Sequence, residues 1–411
     1  MKKIAVIGSG IAGLTCAHYL SPRYQVHLFE ANDYIGGHTH TVDVDVDKTP
    51  CAVDTGFIVF NDRTYPNFMR LLDQLGVPFQ KTEMSFSVRN DAIGLEYNGH
   101  TLNTVFAQRK NLFSPSFWRM LMDIASFNRQ VVKESGTSDC HTLGDFLDAH
   151  CFGTLFKDNY LFPMVAAIWS MGLDDIQKFP LPFFVRFFTN HGLLNLVDRP
   201  QWYTIIDGSR AYIPEITARF KDRIHLSSPV KQLTREPAGI RVMTDKDEGT
   251  FDHVIAACHA DQALGLLESP TDTEKQILGD LPFIDNQVIL HTDTRILPKT
   301  PRAWASWNYR LFDDQTSHTT LTYNMNILQR LRQPTTCLVT LNQQIEAGKV
   351  LERFTYAHPA YTKSTIAAQQ RWEEISGHGP LHFCGAYWFN GFHEDGVRSA
   401  LRVCAALGVT P

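Results

Sequence analysis

The chain lacks several features that would place it in a specialised class of protein. It has no run of eighteen apolar residues, so the sequence predicts no membrane-spanning helix. Its eight cysteines form no C-x-x-C pair, which argues against a zinc ribbon or a disulfide framework and fits a reducing cytoplasm. The net charge is −5 and no Lys/Arg run is present, so nucleic acid is not an expected partner.

Internal repeats and low-complexity linkers are also missing. With 44% hydrophobic and 20% charged residues among 411, the chain is long enough to bury two cores, so we expect two domains. Met1, Lys2 and Lys3 precede an apolar stretch as a secretion signal would, but glycines interrupt that stretch and a strand accounts for it. We therefore expect a cytoplasmic protein, with peripheral membrane contact left open.

The N-terminus carries the pattern of a dinucleotide-binding βαβ unit. An apolar run leads into Gly8, Gly10 and Gly13, and Glu30 follows a second apolar run. The first glycine permits a tight turn, the second lets the backbone approach a pyrophosphate, and the third lets helix and strand pack closely. A carboxylate at Glu30 would bind the adenosine ribose, which favours NAD or FAD over NADP. The contacts predicted for this unit are Gly8, Gly10, Ile11, Ala12, Gly13, Glu30 and Ala31.

A glycine pair after Glu30 favours FAD over NAD as the cofactor. Gly36 and Gly37 follow the ribose acid and let the main chain pass close to the pyrophosphate and ribityl chain, although a surface turn is the alternative. His38 and His40 come next, and alternate residues after such a pair usually project from an extended strand. We therefore expect His38 near phosphate and no metal site.

A second glycine-rich turn precedes a helix near the C-terminus. A strand pattern at 381–384 ends at Gly385, and Asp395 stands where it can cap the following helix. Tyr387 and Trp388 lie between them, either as walls of a cofactor pocket or as core residues.

Together with VDTGF at 53–57, these motifs resemble the flavin-containing amine oxidase superfamily. That group includes monoamine oxidases, carotenoid desaturases and protoporphyrinogen oxidases. Over its whole length the chain is similar to a bacterial branch of predicted NAD/FAD-binding proteins. The stretches that carry this likeness are DTGFIVFNDRTYPN (54–67), AAIWSM (166–171), FFTNHGLL (187–194) and FCGAYWFNGFHEDGVRSALR (383–402).

The resemblance implies an α/β fold in which a Rossmann-type FAD-binding domain carries a discontinuous α+β substrate domain. Helical spacing from Phe106 to Val197, for example at Phe117, Ile124 and Val131, suits an inserted substrate domain. We expect the FAD-binding domain at residues 1–100, 200–285 and 375–411, and the substrate domain at 101–199 and 286–374.

The resemblance also assigns further cofactor contacts. The helix that begins near Gly396 would lie beneath the flavin pyrimidine, where its N–H groups stabilise the charge that reduction places at N1 and O2. Val230 resembles the position whose backbone pairs with adenine, and Cys384 leaves covalent attachment open. The contacts that these motifs predict are Gly36, Gly37, His38, Thr55, Gly56, Phe57, Val230, Gly385, Glu394, Asp395, Gly396 and Val397.

Two features bear on the reaction. Where amine oxidases place a lysine that holds a water at flavin N5, this chain has 286–288 (NQV), and Lys275 and Lys299 are too far along the chain to replace it. The segment Phe179–Val197 is dense in Phe and Leu, as expected of an apolar substrate tunnel, an interfacial membrane patch or a buried helical core. Both features favour hydride abstraction from a hydrophobic substrate.

The bacterial branch is associated with cyclopropane-fatty-acid-synthase-like methyltransferases and with oxidation of methylated acyl chains toward furan fatty acids. The resemblance thus favours an FAD-dependent oxidoreductase that desaturates or oxidises a fatty acyl chain of a lipid or other hydrophobic molecule. The alternatives are a flavin amine oxidase, a non-catalytic binding module of the Rab GDP-dissociation inhibitor type, and a mutase of the UDP-galactopyranose type. Candidate pocket residues are Tyr387, Trp388, His191 and His393; the oligomeric state is open.

Overall fold

A computed structural model describes residues 1–134, 142–169, 173–190, 192–195, 199–246, 248–312 and 320–410. Within these ranges the strands are β1 (Lys3–Ile7), β2 (Gln25–Phe29), β3 (Thr41–Val46), β4 (Thr49–Asp54), β5 (Phe60–Asn61), β6 (Phe79–Thr82), β7 (Phe86–Asn90), β8 (Leu95–Asn98), β9 (Trp202–Ile205), β10 (Ile224–His225), β11 (Val230–Glu236), β12 (Gly239–Thr244), β13 (Glu248–Phe251), β14 (His253–Ala256), β15 (Phe283–His291), β16 (Trp307–Leu311), β17 (Leu321–Asn324), β18 (Leu338–Leu341), β19 (Val350–Pro359) and β20 (Leu381–Phe383).

The helices of the described ranges are α1 (Ile11–Leu20), α2 (Pro66–Leu75), α3 (Leu102–Val105), α4 (Pro115–Glu134), α5 (Leu143–Ala149), α6 (Thr154–Phe156), α7 (Phe162–Trp169), α8 (Leu173–Ile176), α9 (Leu181–Asn190), α10 (Ile213–Thr217), α11 (Ala260–Leu266), α12 (Asp272–Gly279), α13 (Met325–Leu328), α14 (Lys363–Gln369), α15 (Trp372–Ile375) and α16 (His393–Ala406). Within the described chain, no helix is both long enough and apolar enough to cross a membrane.

A parallel sheet with the strand order β10-β2-β1-β14-β20 carries the predicted dinucleotide-binding unit. β1 pairs with β2 on one side and with β14 on the other. Its central residues are fully buried, and they share one core with apolar residues of α1 and α16. A parallel strand buried on both faces reads as a continuous apolar run, which is why the sequence 4–7 predicts it well.

A large mixed sheet with the order β19-β15-β18-β17-β16-β7-β8 forms the second half of the molecule. β15 pairs antiparallel with both β19 and β18, whereas β16 and β7 run parallel. β7 and β8 lie within residues 1–100, which we assigned to the FAD-binding domain, yet they hydrogen-bond into this sheet. A short strand pattern does not reveal which sheet the strand joins. The predicted domain limits remain a prediction.

The helical block predicted between Phe106 and Val197 encloses a second core. Four phenylalanine side chains of α9 are buried there, together with Phe179 just before the helix and with Phe127 and Phe156. The interfacial-patch alternative for Phe179–Val197 therefore does not apply to these phenylalanines, while residues 191 and 196–198 lie outside the described ranges. The buried members are Phe179, Phe183, Phe184, Phe187 and Phe188.

The third fingerprint glycine sets how closely α1 can follow β1. A Cβ atom at Gly13 would lie 2.0 Å from the carbonyl oxygen of Gly8. This oxygen belongs to the backbone of the turn and cannot rotate away as a side chain could. Gly265 in α11 offers a contrast, because it is exposed and a Cβ there would meet no atom within 4 Å.

We predict opposite effects of alanine at these two glycines. Gly13→Ala should lower the free energy of unfolding by at least about 1–3 kcal/mol, because the new methyl group overpacks the turn. Gly265→Ala should raise it by up to about 1 kcal/mol, because alanine is the better helix former. Urea denaturation of both variants measures the difference, and equal effects would contradict the close approach at Gly13.

Candidate active site

The turn after β1 is held by hydrogen bonds that converge on Ser9. Ser9 N and Oγ donate to Glu30 Oε2 at 2.9 and 2.6 Å, and Gly36 N donates to Ser9 Oγ at 3.0 Å. The other carboxylate oxygen, Glu30 Oε1, accepts from Asn32 N at 2.9 Å. Ser9 was missing from the predicted residues, although a hydroxyl between two fingerprint glycines was an available signal. The Ser9–Glu30 pair thus joins both glycine motifs to the end of β2.

Gly10 and Gly37 face each other across this turn. A Cβ on Gly37 would lie 3.2 Å from Gly10 Cα, whereas a Cβ on Gly10 would enter open space with no atom within 4 Å. Gly10 is also the N-cap of α1, and no side chain of the described residues caps that end. Free N–H groups at a helix N-terminus with open space before them fit a bound pyrophosphate.

The N-terminus of α16 lies beside that of α1. A Cβ on Gly396 would lie 2.6 Å from Ile11 Cγ2 and 3.6 Å from Ala12 N, so the two helices touch near their first turns. Asp395 Oδ2 accepts from Phe392 N at 3.0 Å, which caps α16 as predicted. Two helix N-termini therefore converge on one region of the molecule.

Glu394 connects this helix to α2. Its Oε2 accepts from Phe68 N at 2.9 Å, and its Oε1 accepts from Asn67 N and Nδ2 at 3.2 and 2.6 Å. Both carboxylate oxygens are therefore engaged by protein, and the predicted contact of Glu394 with the cofactor stays a prediction.

His393 is a buried histidine between aromatic rings. It stacks on Phe57 with ring centroids 3.6 Å apart, and its Nε2 lies 3.0 Å from Tyr212 Oη. Tyr212 also hydrogen-bonds the Thr39 hydroxyl. Burial lowers the pKa of His393 well below its ordinary value, so the imidazole is neutral at pH 7. Tyr212 had no local sequence signal, because the contact joins residues far apart in the chain.

His38 is half-buried beside β19. Its ring lies 5.3 Å from that of Tyr356 and 5.7 Å from that of His358. Burial lowers the pKa of His38 to about 3, and its buried Nε2 has no hydrogen-bond partner among the described residues. An unpaired buried polar atom is costly. Since it lies next to Gly37, a phosphate or ribityl oxygen of FAD would supply the missing partner.

A cavity of about 530 Å³ opens beside the glycine pair. Gly37 and His38 line it on one side, and Phe283 and Tyr356 of the mixed sheet line it on the other. The cavity therefore lies between the parallel sheet and the mixed sheet, where the cofactor-binding motifs meet β15 and β19.

Asn286 on β15 lies in the segment 286–288, where the resemblance expects a lysine. It is buried, and its Oδ1 accepts from Asn342 Nδ2 at 2.8 Å while its Nδ2 lies 3.3 Å from His358 Nδ1. Lys275 and Lys299 are exposed, and Lys275 pairs with an aspartate of its own helix. The segment 286–288 therefore supplies no ammonium group, and its buried amide contacts an imidazole instead.

The remaining predicted residues lie around this region. Tyr387 and Trp388 are buried in the core of the parallel sheet, and Tyr387 contacts Phe283 edge-on at 5.8 Å. Their role as walls of the cofactor pocket stays a prediction. Cys384 Sγ lies 3.8 Å from Cys16 Sγ between β20 and α1. His191 lies outside the described residues. Thr55, Gly56, Val230, Gly385 and Val397 are buried or half-buried at the ends of β4, β11 and β20 and in α16.

Comparison with known proteins identifies the class. The sequence pattern of the family described as flavin containing amine oxidoreductase matches residues 11–300. This is more than half of the chain, so the chain belongs to the flavin-containing amine oxidoreductase family. The predicted superfamily and α/β fold are confirmed, and the protein is an FAD-dependent oxidoreductase with FAD as its cofactor.

Individual relatives are more distant. The 1-hydroxycarotenoid 3,4-desaturase of Flavobacterium sp. (strain P99-3) is 40% identical over 88 residues, which are 21% of this chain and 16% of that protein. Cyclohexylamine oxidase from Brevibacterium oxydans IH-35A is 14% identical with a TM-score of 0.71, and the match covers 99% of this chain and 98% of that one. A CLA-producing fatty acid isomerase from P. acnes is 14% identical with a TM-score of 0.70, covering 98% of each chain. The structural likenesses establish the fold.

We predict that Gly10→Val abolishes FAD retention without unfolding the chain, because the new side chain enters the open space at the end of α1. Glu30→Ala should weaken FAD binding less, on the order of 1–3 kcal/mol. Gly265→Val, at the exposed helix position, is the control. FAD per chain is measured by visible absorbance after gel filtration; wild-type FAD content in Gly10→Val would show that this space is not used.

We also predict a pH effect at Asp395, since burial raises the pKa of its carboxyl to about 7. Between the ordinary pKa of aspartate and this value the folded protein binds more protons than the unfolded chain, so the contribution of Asp395 to stability falls as pH rises. The free energy of unfolding of Asp395→Asn, relative to that of the wild type, should therefore rise between pH 5 and pH 8 by more than about 1.4 kcal/mol, as measured by urea unfolding. Asp222→Asn, at an exposed position, is the control; a constant difference would contradict the prediction.

Proposed function

We propose that the protein abstracts hydride from a carbon of a long apolar substrate and thereby desaturates or oxidises a fatty acyl chain, with a methylated chain as the favoured case. The observation that carries this proposal is the neutral Asn286–His358 pair on β15 and β19. FAD, when bound, accepts the hydride. The residues of the chain position the substrate, exclude water and keep nearby imidazoles neutral.

The absence of lysine from the segment 286–288 bears directly on the choice of substrate. Amine oxidation by the arrangement implied for amine oxidases needs an ammonium group that holds a water at the flavin. Asn286 is instead locked between Asn342 and His358. Burial lowers the pKa of His358 to about 4, so this pair carries no charge at pH 7. An uncharged surround suits a C–H donor within an apolar chain better than a polar amine.

The Phe-rich helix α9 contacts the turn before α16. Phe187 stacks on Phe392 at 5.3 Å, and Phe183 stacks on Tyr361 at 5.6 Å. A Cβ on Gly391 would lie 2.5 Å from Tyr361 Oη, so this tyrosine packs against the same turn. The apolar side chains of α9 thus border the first turn of the helix that the resemblance places beneath the flavin. This supports a hydrophobic substrate.

The relatives are divided between the two leading functions. A carotenoid desaturase and a fatty acid isomerase carry names that fit chemistry on long hydrocarbon chains, whereas cyclohexylamine oxidase fits the amine alternative. The desaturase match is short and the similar structures have low sequence identity. The choice of substrate therefore rests on the residues of the site. A non-catalytic binding module is disfavoured, because the glycine fingerprint and Glu30 are intact.

The proposal predicts which compounds reduce the bound flavin. Under anaerobic conditions the flavin spectrum should bleach with methylated or unsaturated acyl lipids and remain unchanged with primary amines and polyamines. Lipidomic comparison of a deletion strain should then show accumulation of the unoxidised chain. Bleaching by an amine alone would overturn the lipid substrate and favour an amine oxidase.

Two phenylalanines of α9 provide a matched pair of variants. A charge at either position would be buried without a partner and unfold the core, so truncation is the better test. Phe187→Ala should slow lipid-dependent flavin reduction and leave FAD bound, because Phe187 faces Phe392. Phe184→Ala, which removes contacts to Phe127 and Phe188, should lower stability by about 3–5 kcal/mol with less effect on the rate per folded molecule. Equal rate losses would argue against substrate contact at α9.

A further inference from the structure

Exposed apolar side chains are concentrated on one stretch of the described chain. Ten large apolar residues of the described chain are exposed, and seven of them fall within residues 93–132. Phe113 is 88% exposed, Leu102 80% and Met122 62%. Single exposed apolar residues are common, but a cluster marks an interaction surface. The seven are Ile93, Leu102, Leu112, Phe113, Trp118, Met122 and Val132.

Hydrogen bonds join the segments that carry these side chains. Trp118 Nε1 donates to Leu112 O at 2.9 Å, which fixes the turn 109–113 against α4. Arg109 Nη1 donates to Phe106 O at 2.9 Å, and its Nη2 donates to Asn103 Oδ1 at 2.5 Å, which fixes the same turn against α3. The segments that carry the exposed side chains are therefore joined to one another. We call the surface of Leu102, Leu112, Phe113, Trp118 and Met122 the α3–α4 face.

The charges along the segment that carries this face are mostly cationic. Glu96 and Glu134 stand just outside it in the sequence, and Glu83 Oε2 lies 3.8 Å from His100 Nε2, two residues before Leu102. Between residues 97 and 133 the chain carries five Arg or Lys residues and a single carboxylate, Asp123, although its net charge is −5 overall. Asp123 is largely buried and lies 4.0 Å from Arg119 Nε. The five cationic residues are Arg109, Lys110, Arg119, Arg129 and Lys133, and all are exposed.

We propose that the α3–α4 face docks onto an anionic lipid bilayer. Phe, Trp, Leu and Met side chains enter the boundary between headgroups and acyl chains, while flanking Arg and Lys side chains meet negatively charged headgroups. A second copy of the chain is a poorer partner, because two such faces would bring ten cations together. The proposal concerns membrane docking and is tested without turnover, so its failure and the failure of the proposed function are distinguishable.

The test is binding of the holoprotein to vesicles, measured by flotation. Wild-type protein should float with vesicles of equal parts phosphatidylcholine and phosphatidylglycerol, and less with phosphatidylcholine alone. Phe113→Asp and, separately, Leu102→Asp should each lower the partition coefficient by about tenfold or more, because both side chains project into solvent and would enter the bilayer. Lys110→Glu combined with Arg119→Glu should remove the preference for phosphatidylglycerol.

Matched controls lie away from the α3–α4 face. Met243→Asp on β12 replaces an exposed apolar residue, and Lys221→Glu combined with Lys363→Glu reverses two exposed cations; both should bind vesicles as the wild type does. FAD content verifies folding of every variant. The proposal is overturned if wild-type protein does not bind phosphatidylglycerol vesicles, or if Phe113→Asp and Leu102→Asp bind undiminished. It is also overturned if gel filtration shows a dimer that Phe113→Asp dissociates.

Discussion

The contact between α1 and α16 at Gly396 is the constraint on which the site depends. With no side chain at Gly396, the first turn of α16 can lie against Ile11, and the two helix N-termini face one region. The same interface continues to Cys16, whose Sγ lies 3.7 Å from Ala400 O. Because α1 begins at the predicted pyrophosphate loop and α16 begins at His393, this contact sets the distance between the two parts of the predicted flavin site.

In this part of the molecule, burial favours the neutral form of four ionisable groups. The pKa of His38, His358 and His393 is lowered, and the pKa of Asp395 is raised, in each case chiefly by burial. In the proposed function, a site that excludes water suits hydride transfer from an apolar chain. The neutral imidazoles, the buried Asn286 and the phenylalanines of α9 all fit that proposal.

The sequence predicted the parts of the site that depend on local backbone geometry. Glycine spacing identified the turn after β1 and the pair at Gly36, because only glycine permits those close approaches. The apolar run of β1 predicted a buried parallel strand for the same local reason. Contacts between distant segments were beyond reach: Tyr212 meets His393 only after folding, and β7 joins the mixed sheet through a partner more than two hundred residues later.

The α3–α4 face shows a related limit. Helical spacing of Phe117, Ile124 and Val131 predicted the buried side of α4, and the structure buries all three. Trp118 and Met122 lie on the other side, where apolar residues are the exception. Spacing alone did not show whether they are covered by another element, because that depends on the three-dimensional arrangement around α4.

The central claim is that the helix contact at Gly396 assembles one flavin site, and a compensating pair of variants tests it directly. Gly396→Ala places a methyl group 2.6 Å from Ile11 Cγ2, which is too close, and Ile11→Ala removes that atom. FAD bound per chain should fall in Gly396→Ala and recover in the Gly396→Ala/Ile11→Ala double variant. Undiminished FAD in the single variant, or no recovery in the double variant, would contradict the account.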